Sequence, residues 1–329
     1  MSNTLVEFKH VHTHFDTDEG IFKAVNDVSF RIKEGETVGV IGESGCGKSV
    51  TALSLMQLVT APGKINDGEI WFDGRNLLGL TRDQMRQLRG HEIGMIFQEP
   101  MSSLNPVLTV GEQIVEPLQE HLLLTKKEAW AKAVEWIKKV GIPRPEKIAK
   151  SYPHELSGGM LQRIMIAIAL CCNPKLLIAD EPTTALDVTI QAQVLDLLRQ
   201  LKGELGMAIM LITHDLGVVA EMADYVVVMY AGQVIEEAPV LELFREPKHP
   251  YTQGLLRSKP VMGQRQKRLY SIPGQVPNLA QLGESCHFHE RCASCMEICR
   301  TKQPPLRTDG DTHKVACWLY EEGFGHEQA

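Results

Sequence analysis

A glycine-rich stretch near the start of the chain carries the clearest chemical signal. Residues 42–49 read GESGCGKS and fit the pattern G-x-x-x-x-G-K-[ST], with Gly42 and Gly47 in the fixed positions. Glycines allow successive backbone N–H groups to point into one concavity and hold phosphate oxygens. Lys48 would reach the β- and γ-phosphates, and Ser49 would give its hydroxyl to Mg²⁺. The stretch therefore predicts a phosphate-binding loop.

Two carboxylates end a second apolar run. Residues 176–179 read LLIA and are followed directly by Asp180 and Glu181. Buried parallel strands consist of such runs, and carboxylates are costly there unless a cation or a water needs them. Asp180 would hold Mg²⁺, directly or through water, and Glu181 could orient and deprotonate an attacking water.

Two other polar side chains follow short apolar runs. Gln98 comes after residues 93–97 and precedes a run of loop formers, where it could touch Mg²⁺ or the attacking water, or simply end the strand. His214 comes shortly after residues 207–212, at the strand end where ligands of α/β sheets collect. A lone histidine in that position is more often a capping residue.

A second glycine pair stands before a helix. Residues 157–160 read SGGM and lead into the strongly apolar residues 161–172. Ser157 is a good N-cap, and Gly158 and Gly159 make a second place where N–H groups could grip a phosphate. A plain capping turn is the alternative.

Periodicity predicts the elements that must position these residues. The apolar run 38–41 predicts a strand before the phosphate loop, and a helical pattern resumes at Lys48. Residues 5–33 alternate apolar and polar with a turn at 16–20, which is typical of an antiparallel start to a sheet. A further helix is predicted over 191–205.

Residues 110–140 have helical periodicity without intervening strands and predict a separate helical lobe. Trp130, Val134 and Ile137 fall on one predicted face.

Composition limits the classes of function. The chain has 329 residues, 43% of them hydrophobic, and a net charge of -7. This acidic balance gives no overall attraction to nucleic acid, which is not an expected partner. The longest apolar run, residues 164–172, is far shorter than the roughly 20 residues of a membrane span. The N-terminus has no basic stretch followed by an apolar core, so we expect no secretory signal.

The motifs GESGCGKS, LSGGM, LLIADEPTTALD and ITHD occur in this order, and residues 5–260 resemble the ATP-binding subunits of ABC transporters. The LSGG element makes the resemblance specific, because other P-loop ATPases do not share it. It implies an α/β fold: an ABC-type P-loop ATPase with a RecA-like core, an antiparallel β subdomain, a helical subdomain and a small Cys-rich C-terminal segment. The implied domains are an ATPase domain at 1–259 with its helical subdomain at about 100–160, a linker at 260–285 and the Cys-rich segment at 286–329.

The resemblance also assigns roles, position by position. It makes Glu181 the catalytic base, His214 the switch histidine and Gln98 the Q-loop glutamine. Mg²⁺ would be held by Ser49, Gln98 and Asp180. The implied ATP-binding residues are Phe15, Gly42, Gly45, Gly47, Lys48, Ser49, Asp180, Ser157, Gly158, Gly159 and Asp187.

Two of these positions carry an alternative or a departure. Phe15 matches the aromatic residue that stacks on adenine, and Phe22 is the competing choice. Met160 stands where many family members have glutamine, which removes a polar contact of that side chain but not the phosphate grip of Ser157 and the backbone.

Within this family, FQEPMSSLNPVLTVGEQI, YPHELSGGM and KHPYTQGLL resemble the branch that imports dipeptides and oligopeptides, which also serves nickel and other small solutes. The resemblance implies two ATPase subunits that sandwich two ATP molecules, each site pairing the Walker A loop of one subunit with the signature of the other. The second ATPase is usually a paralogue. Two transmembrane permease subunits and an extracytoplasmic solute-binding protein would complete the transporter, with this subunit peripheral on the cytoplasmic face of the cell membrane.

Two other classes of function compete with transport. A soluble ABC-type ATPase acting on nucleic acid typically has long coiled coils or two ATPase units, whereas this chain has one set of motifs and no sustained heptads. A metal-sensing regulator would use the fold for binding alone, and the intact Glu181 and His214 argue against it.

Five of the eight cysteines lie in the last part of the chain, and in a reducing compartment such clustering indicates a metal before a disulfide. Four of them match the pattern of dipeptide-transporter ATPase subunits, some of which carry a [4Fe–4S] cluster: Cys286, Cys292, Cys299 and Cys317. A zinc site is the second possibility, and free thiols are the third. The zinc ligands would be Cys292, Cys295 and Cys299 with His287, His289 or His313.

Overall fold

The computed structural model describes residues 3–184, 186–258, 270–309 and 312–321. Its strands, in chain order, are β1 (Thr4–Thr17), β2 (Gly20–Lys33), β3 (Thr37–Ile41), β4 (Gly63–Phe72), β5 (Arg75–Asn76), β6 (Ile93–Ile96), β7 (Leu176–Asp180), β8 (Ala208–Ile212), β9 (Tyr225–Tyr230), β10 (Gln233–Pro239), β11 (Arg307–Thr308) and β12 (Lys314–Val315).

Its α-helices are α1 (Lys48–Leu55), α2 (Arg82–Leu88), α3 (Pro100–Ser103), α4 (Val110–Leu122), α5 (Lys126–Lys139), α6 (Pro145–Ile148), α7 (Gly158–Leu170), α8 (Val188–Leu205), α9 (Leu216–Met222), α10 (Val240–Arg245) and α11 (Pro250–Arg257). Among the described helices, none combines the length and the apolar character that crossing a bilayer would require.

The chain divides into two compact units, each built from separate stretches of sequence. The first unit consists of Met1–Leu5, Ile32–Thr37 and Gly79–Ile212. The second unit consists of Val6–Arg31, Val38–Leu78 and Thr213–Ala329. The domain and linker boundaries expected from the sequence stay predictions, and residues 260–269 of the predicted linker lie outside the described part of the chain.

The first unit contains three parallel strands, with β7 between β6 and β8. Every residue of these strands is buried, as their continuous apolar runs predict. Helices α4 and α5 begin with capping boxes, in which a threonine and a glutamate three residues later satisfy each other's backbone N–H groups. The predicted helices of the lobe therefore have sharply defined starts.

The buried face of α5 differs from the predicted one. Ala133, Trp136 and Ile137 are buried, whereas Trp130 and Val134 are only half-buried. Small alanines allow the helix to approach its neighbours closely, so the core seam follows the alanines and Trp136. The predicted face of Trp130, Val134 and Ile137 therefore meets the core at Ile137, and its other two side chains lie half-buried beside the seam.

The second unit contains a four-stranded sheet in the order β2-β1-β4-β5. Strand β1 is antiparallel to β4, with Phe8 opposite Ile70. The predicted antiparallel start of the chain is confirmed, with the reversal at residues 18–19 between β1 and β2.

The same unit contains strands that join the phosphate loop to the C-terminal segment. Strand β3 is parallel to β9, β9 is antiparallel to β10, and β10 is antiparallel to β12. The cysteine-rich segment also shares a hydrophobic cluster with these strands, in which Phe288 and Cys299 pack with Ile41, Val228 and Tyr230. Its core is therefore continuous with that of strands β3 and β9.

Candidate functional site

The phosphate loop, residues 42–47, lies between β3 and α1 in the second unit. Gly42 and Gly47 have positive φ angles of 153° and 103°. A Cβ at Gly42 would lie 2.2 Å from the carbonyl oxygen of Met229, and one at Gly47 would lie 2.2 Å from that of Ala24. Glycine is needed at both positions because neighbouring backbone fills the space that a side chain would take. This packing requirement is separate from any need for the backbone N–H groups to face a phosphate.

Lys48 is buried at the first residue of α1, with 7% of its surface exposed. Its Nζ donates hydrogen bonds to the carbonyl oxygens of Gly42 at 2.8 Å and Glu43 at 3.0 Å. The loop thus wraps around an ammonium group, which is the charge that a polyphosphate needs. Burial raises the pKa of the neighbouring Cys46 thiol, so this cysteine is a packed, protonated side chain.

His214 and Phe15 belong to the same unit as the loop. The backbone N–H of Thr213 donates to the carbonyl of Val40 in β3, the strand before the loop, at 3.4 Å. His214, the next residue, is exposed. Phe15 is half-buried, and a Cβ at Gly63 would lie 2.5 Å from its ring.

Phe22, the competing aromatic residue, packs against the hydrophobic cluster that contains Tyr230. Phe22 is half-buried like Phe15, so both aromatic residues stay candidates for stacking on a base.

The first unit brings Gln98 and Glu181 together. Gln98 Nε2 donates to Glu181 Oε2 at 3.2 Å, and the hydroxyl of Thr184 donates to the same oxygen at 2.7 Å. Glu181 has a φ of 50°, an uncommon conformation for a residue with a Cβ. Its backbone N–H donates to the carbonyl oxygen of Ile212 at 2.8 Å, and this bond helps to hold the conformation. Thr184 was not predicted as a partner of this carboxylate, because a hydroxyl three residues after an acid in a turn is a weak signal in the sequence.

Asp180 is the last residue of β7 and pairs with Ile212 of β8. Only 6% of Asp180 is exposed. A carboxylate buried at the carboxyl end of a parallel strand has the chemistry that a hard cation such as Mg²⁺ requires.

The signature residues form the start of α7 in the first unit. Ser157 occupies the N-cap position as predicted, but its side chain makes no capping hydrogen bond; its carbonyl accepts from the backbone N–H groups of Met160 and Leu161. Ser157 and Gly158 are exposed, and a Cβ at Gly158 would meet no atom of the described part of the chain within 4 Å. A Cβ at Gly159 would lie 2.9 Å from Ile190. Packing against Ile190 therefore restricts position 159 to a small residue, whereas packing within the described chain does not restrict position 158.

Asp187 is exposed and caps α8. Its Oδ1 accepts a hydrogen bond from the backbone N–H of Ile190 at 3.0 Å. The capping bond holds the Asp187 carboxylate at the backbone of Ile190, the residue whose side chain lies beside Gly159.

Four cysteines of the C-terminal segment line one small cavity together with Phe288 and Trp318. They are the four of the predicted cluster, Cys286, Cys292, Cys299 and Cys317. Within the described residues, however, no group of three or more His, Cys, Asp or Glu side chains is arranged as a metal-ligand set. The donor types thus fit an iron–sulfur cluster, while the arrangement in this structure does not close around a metal.

Burial dominates the electrostatics of these thiols. It raises the pKa of Cys286 to about 12 and that of Cys317 to about 12. Such thiols are protonated at neutral pH and would need a bound cation to become thiolates.

Three of the alternative zinc ligands, Cys292, Cys299 and His289, also line this cavity, whereas the other three do not. Cys295 does not line the cavity, and His313 is committed to Glu236, with 2.7 Å between its Nε2 and Oε1. Burial lowers the pKa of His287, which makes no contact with the cavity.

A glycine loop between a strand and a helix, and an apolar strand that ends in a buried aspartate and a hydrogen-bonded glutamate, are together the marks of a P-loop ATPase. Residues 25–184 match the family model described as ABC transporter. Residues 235–299 match the model described as oligopeptide/dipeptide transporter, C-terminal region.

Full-length relatives define the family more closely. The chain is 54% identical to the oligopeptide transport ATP-binding protein AppD of Bacillus subtilis (strain 168), over 99% of this chain and 100% of AppD. It is 49% identical to the dipeptide transport ATP-binding protein DppD of Haemophilus influenzae (strain ATCC 51907 / DSM 11121 / KW20 / Rd), over 97% of each chain. The protein belongs to the family of ATP-binding proteins of oligopeptide and dipeptide ABC transporters, and it is an ABC-type ATPase.

Solved structures agree with this fold. One similar structure is the dimeric post-hydrolysis state of the ATP-binding cassette MJ0796 bound to ADP and Pi. It has a TM-score of 0.64 and 31% identity, and the match covers 72% of this chain and 99% of that chain.

Proposed function

We propose that this ATPase powers the import of dipeptides or oligopeptides, as a peripheral subunit on the cytoplasmic face of a membrane permease. The observation that carries hydrolysis is the arrangement at Glu181, whose carboxylate is held by Gln98 and Thr184. A carboxylate fixed in this way can orient a water and take its proton. Peptide import is supported by the names of the full-length relatives, which are oligopeptide and dipeptide transport ATP-binding proteins.

Each chain would supply half of two ATP sites. Lys48 and the loop N–H groups would hold the β- and γ-phosphates, and Ser49, Asp180 and Gln98 would hold Mg²⁺, which neutralises charge on the phosphates. Ser157 and Gly158 would contact ATP on a second ATPase chain, since both are exposed at a helix start. The dimeric state of the relative bound to ADP and Pi supports this arrangement.

The other assigned residues complete the proposal. Phe15 would stack on adenine, His214 would act as the switch histidine, and Asp187 would be the D-loop aspartate among the ATP-binding residues. The second ATPase would be a paralogue, and two permease subunits and an extracytoplasmic solute-binding protein would complete the transporter.

Replacing Glu181 tests the hydrolytic role. Glu181→Gln retains the size of the side chain but removes the proton acceptor, so ATP turnover should fall about 10²- to 10³-fold while ATP binding is retained. The measurement is ATP turnover and retained nucleotide in transporter assembled with its co-expressed permease and ATPase partners. Glu146→Gln, at an exposed acid in α6, is the matched control and should behave as wild type. A Glu181→Gln variant that hydrolyses ATP at the wild-type rate would show that the base is assigned wrongly.

We further propose that the cavity lined by four cysteines holds a [4Fe–4S] cluster. The cluster would stabilise the fold of this small segment, as bound metals stabilise other small folds. The support is that Cys286, Cys292, Cys299 and Cys317 face one cavity while Cys295 does not. Tetrahedral zinc is the alternative.

Metal analysis of anaerobically purified full-length protein separates the two. Iron and acid-labile sulfide with visible absorbance are expected in wild type and in Cys295→Ser, and they should be lost in Cys299→Ser. Stoichiometric zinc in colourless protein, or retention of the absorbance in Cys299→Ser, would contradict the proposed cluster.

A further inference from the structure

An ion pair joins the cysteine-rich segment to the phosphate loop. Arg291 directly precedes Cys292, and Glu43 is the second residue of the loop. The two guanidinium Nη atoms donate to the two carboxylate oxygens of Glu43, at 2.7 and 3.0 Å. The arginine side chain is 5% exposed and the glutamate 29%. Such a bidentate pair has both the geometry and the partial burial that make an ion pair specific.

The rest of the guanidinium is also fixed. Its Nε donates to the carbonyl of Pro273 at 2.9 Å, and Nη1 donates to the hydroxyl of Tyr230 at 3.3 Å. It lies over the rings of Tyr230 and Phe288, at 5.8 and 5.9 Å from their centroids. Arg291 therefore cannot move without disturbing several partners, and Glu43 is held against a rigid support.

The backbone of Glu43 connects this support to the lysine of the loop. Its N–H donates to the hydroxyl of Tyr251 at 2.8 Å. Its carbonyl accepts from Lys48 Nζ at 3.0 Å and from the backbone N–H of Cys46 at 3.3 Å. A displacement of Glu43 would therefore change the surroundings of the ammonium group that is expected to meet the phosphates.

We propose that Arg291 is a positioning residue for ATP binding, because it holds Glu43 in place and neutralises the single carboxylate within residues 42–49. The proposal rests on the ATP-binding role of the loop. Without the arginine, an uncompensated carboxylate in the loop would repel the polyphosphate, and the loop would lose the support that fixes the carbonyl bonded to Lys48.

Removing the guanidinium should weaken ATP binding. Arg291→Met should raise the Kd for ATP roughly tenfold. This is the effect expected when one charge is lost near a polyphosphate at an effective dielectric constant between those of water and of the protein interior. Arg291→Lys keeps the charge but not the fork, and should recover part of the affinity. The measurement is equilibrium ATP binding to the full-length chain, with unfolding temperature followed in parallel.

The control is a second arginine–glutamate pair in the same segment. Arg307 pairs with Glu321, and its side chain is 65% exposed. Arg307→Met removes an arginine of this segment that makes no bond to the loop, so its Kd for ATP should equal that of wild type.

A double-mutant cycle separates positioning from a general structural effect. With Glu43→Gln in place, the repelling charge is absent, and adding Arg291→Met should change the Kd less than twofold. Wild-type ATP affinity in a folded Arg291→Met variant would overturn the proposal, as would equal losses in the two backgrounds. If Arg291→Met does not fold, Arg291→Gln, which also removes the charge, gives the same comparison in the two backgrounds. A wild-type chain that does not bind ATP would contradict the proposed function itself.

Discussion

At the scale of single residues, His249 shows how burial selects a protonation state. It is 2% exposed, and its Nδ1 accepts a hydrogen bond from the backbone N–H of Tyr251 at 3.0 Å, which caps α11. The backbone N–H of His249 donates to Glu236 Oε2 at 3.0 Å. Burial lowers the pKa of His249 to about 4, and the nearby charge of Glu236 only partly opposes this. The neutral ring is required because a protonated Nδ1 could not accept the capping bond.

This depressed pKa makes stability depend on pH. Below about 6.5 the unfolded state binds a proton that the folded state refuses until about pH 4, so the contribution is fully present above 6.5 and falls as the pH drops through this window. The loss should be about 2 kcal/mol at pH 5. It is measured as the free energy of unfolding in urea at pH 7.5 and pH 5.

His249→Asn keeps a capping acceptor that does not titrate, so its stability should fall less between these two pH values than that of wild type. His154→Asn, at an exposed histidine, should leave the pH dependence unchanged. The same pH dependence in His249→Asn as in wild type would show that His249 is not the titrating group.

Residue types and spacing predicted the glycine loop between a strand and a helix and the two acids at the end of β7, and the family resemblance assigned Gln98 and Glu181 to one site. The structure shows a hydrogen bond between these two side chains. Residue types and spacing could not predict the left-handed backbone of Glu181, which is held by a hydrogen bond to the next strand. They also could not predict the pair Arg291–Glu43, whose members are 248 positions apart and carry no shared pattern.

At the scale of elements, buried parallel strands were the easiest to predict because their apolar runs are continuous. The runs 93–97 and 207–212 correspond to β6 and β8 within a residue. Helix α8 begins three residues before the predicted start, because Asp187 caps a first turn rich in β-branched residues that periodicity did not count as helix. Strand β12 has two residues, too few for any period to appear in the sequence.

At the scale of the molecule, the two compact units are assembled from stretches that are distant in sequence. The second unit combines the first antiparallel strands with the entire C-terminal segment. These stretches lie at opposite ends of the sequence, and tertiary packing brings them together, as where Phe22 of β2 packs against the hydrophobic cluster that contains Phe288. This packing also places the cysteine-rich segment against the phosphate loop, through Arg291.

Gly158 and Gly159 at the start of α7 differ in their neighbours within the chain, and this difference can show whether a second chain contacts the helix start. Among the residues that the structure describes, a methyl group at Gly158 would meet nothing within 4 Å, whereas one at Gly159 would meet Ile190. Any strong effect of a methyl group at Gly158 on turnover would therefore have to come from outside the chain, as the proposed two-chain ATP site requires.

Gly158→Ala should preserve the fold and the ATP affinity of the single chain, since alanine favours helix over glycine by up to about 1 kcal/mol. In the transporter assembled with its partners, ATP turnover should fall at least about tenfold, because the methyl group would stand between the helix start and the phosphates of ATP on the second chain. Gly203→Ala, at an exposed glycine in α8 that also has open space around it, is the matched control and should keep wild-type turnover. Equal turnover in the two variants would mean that the start of α7 does not complete an ATP site on another chain.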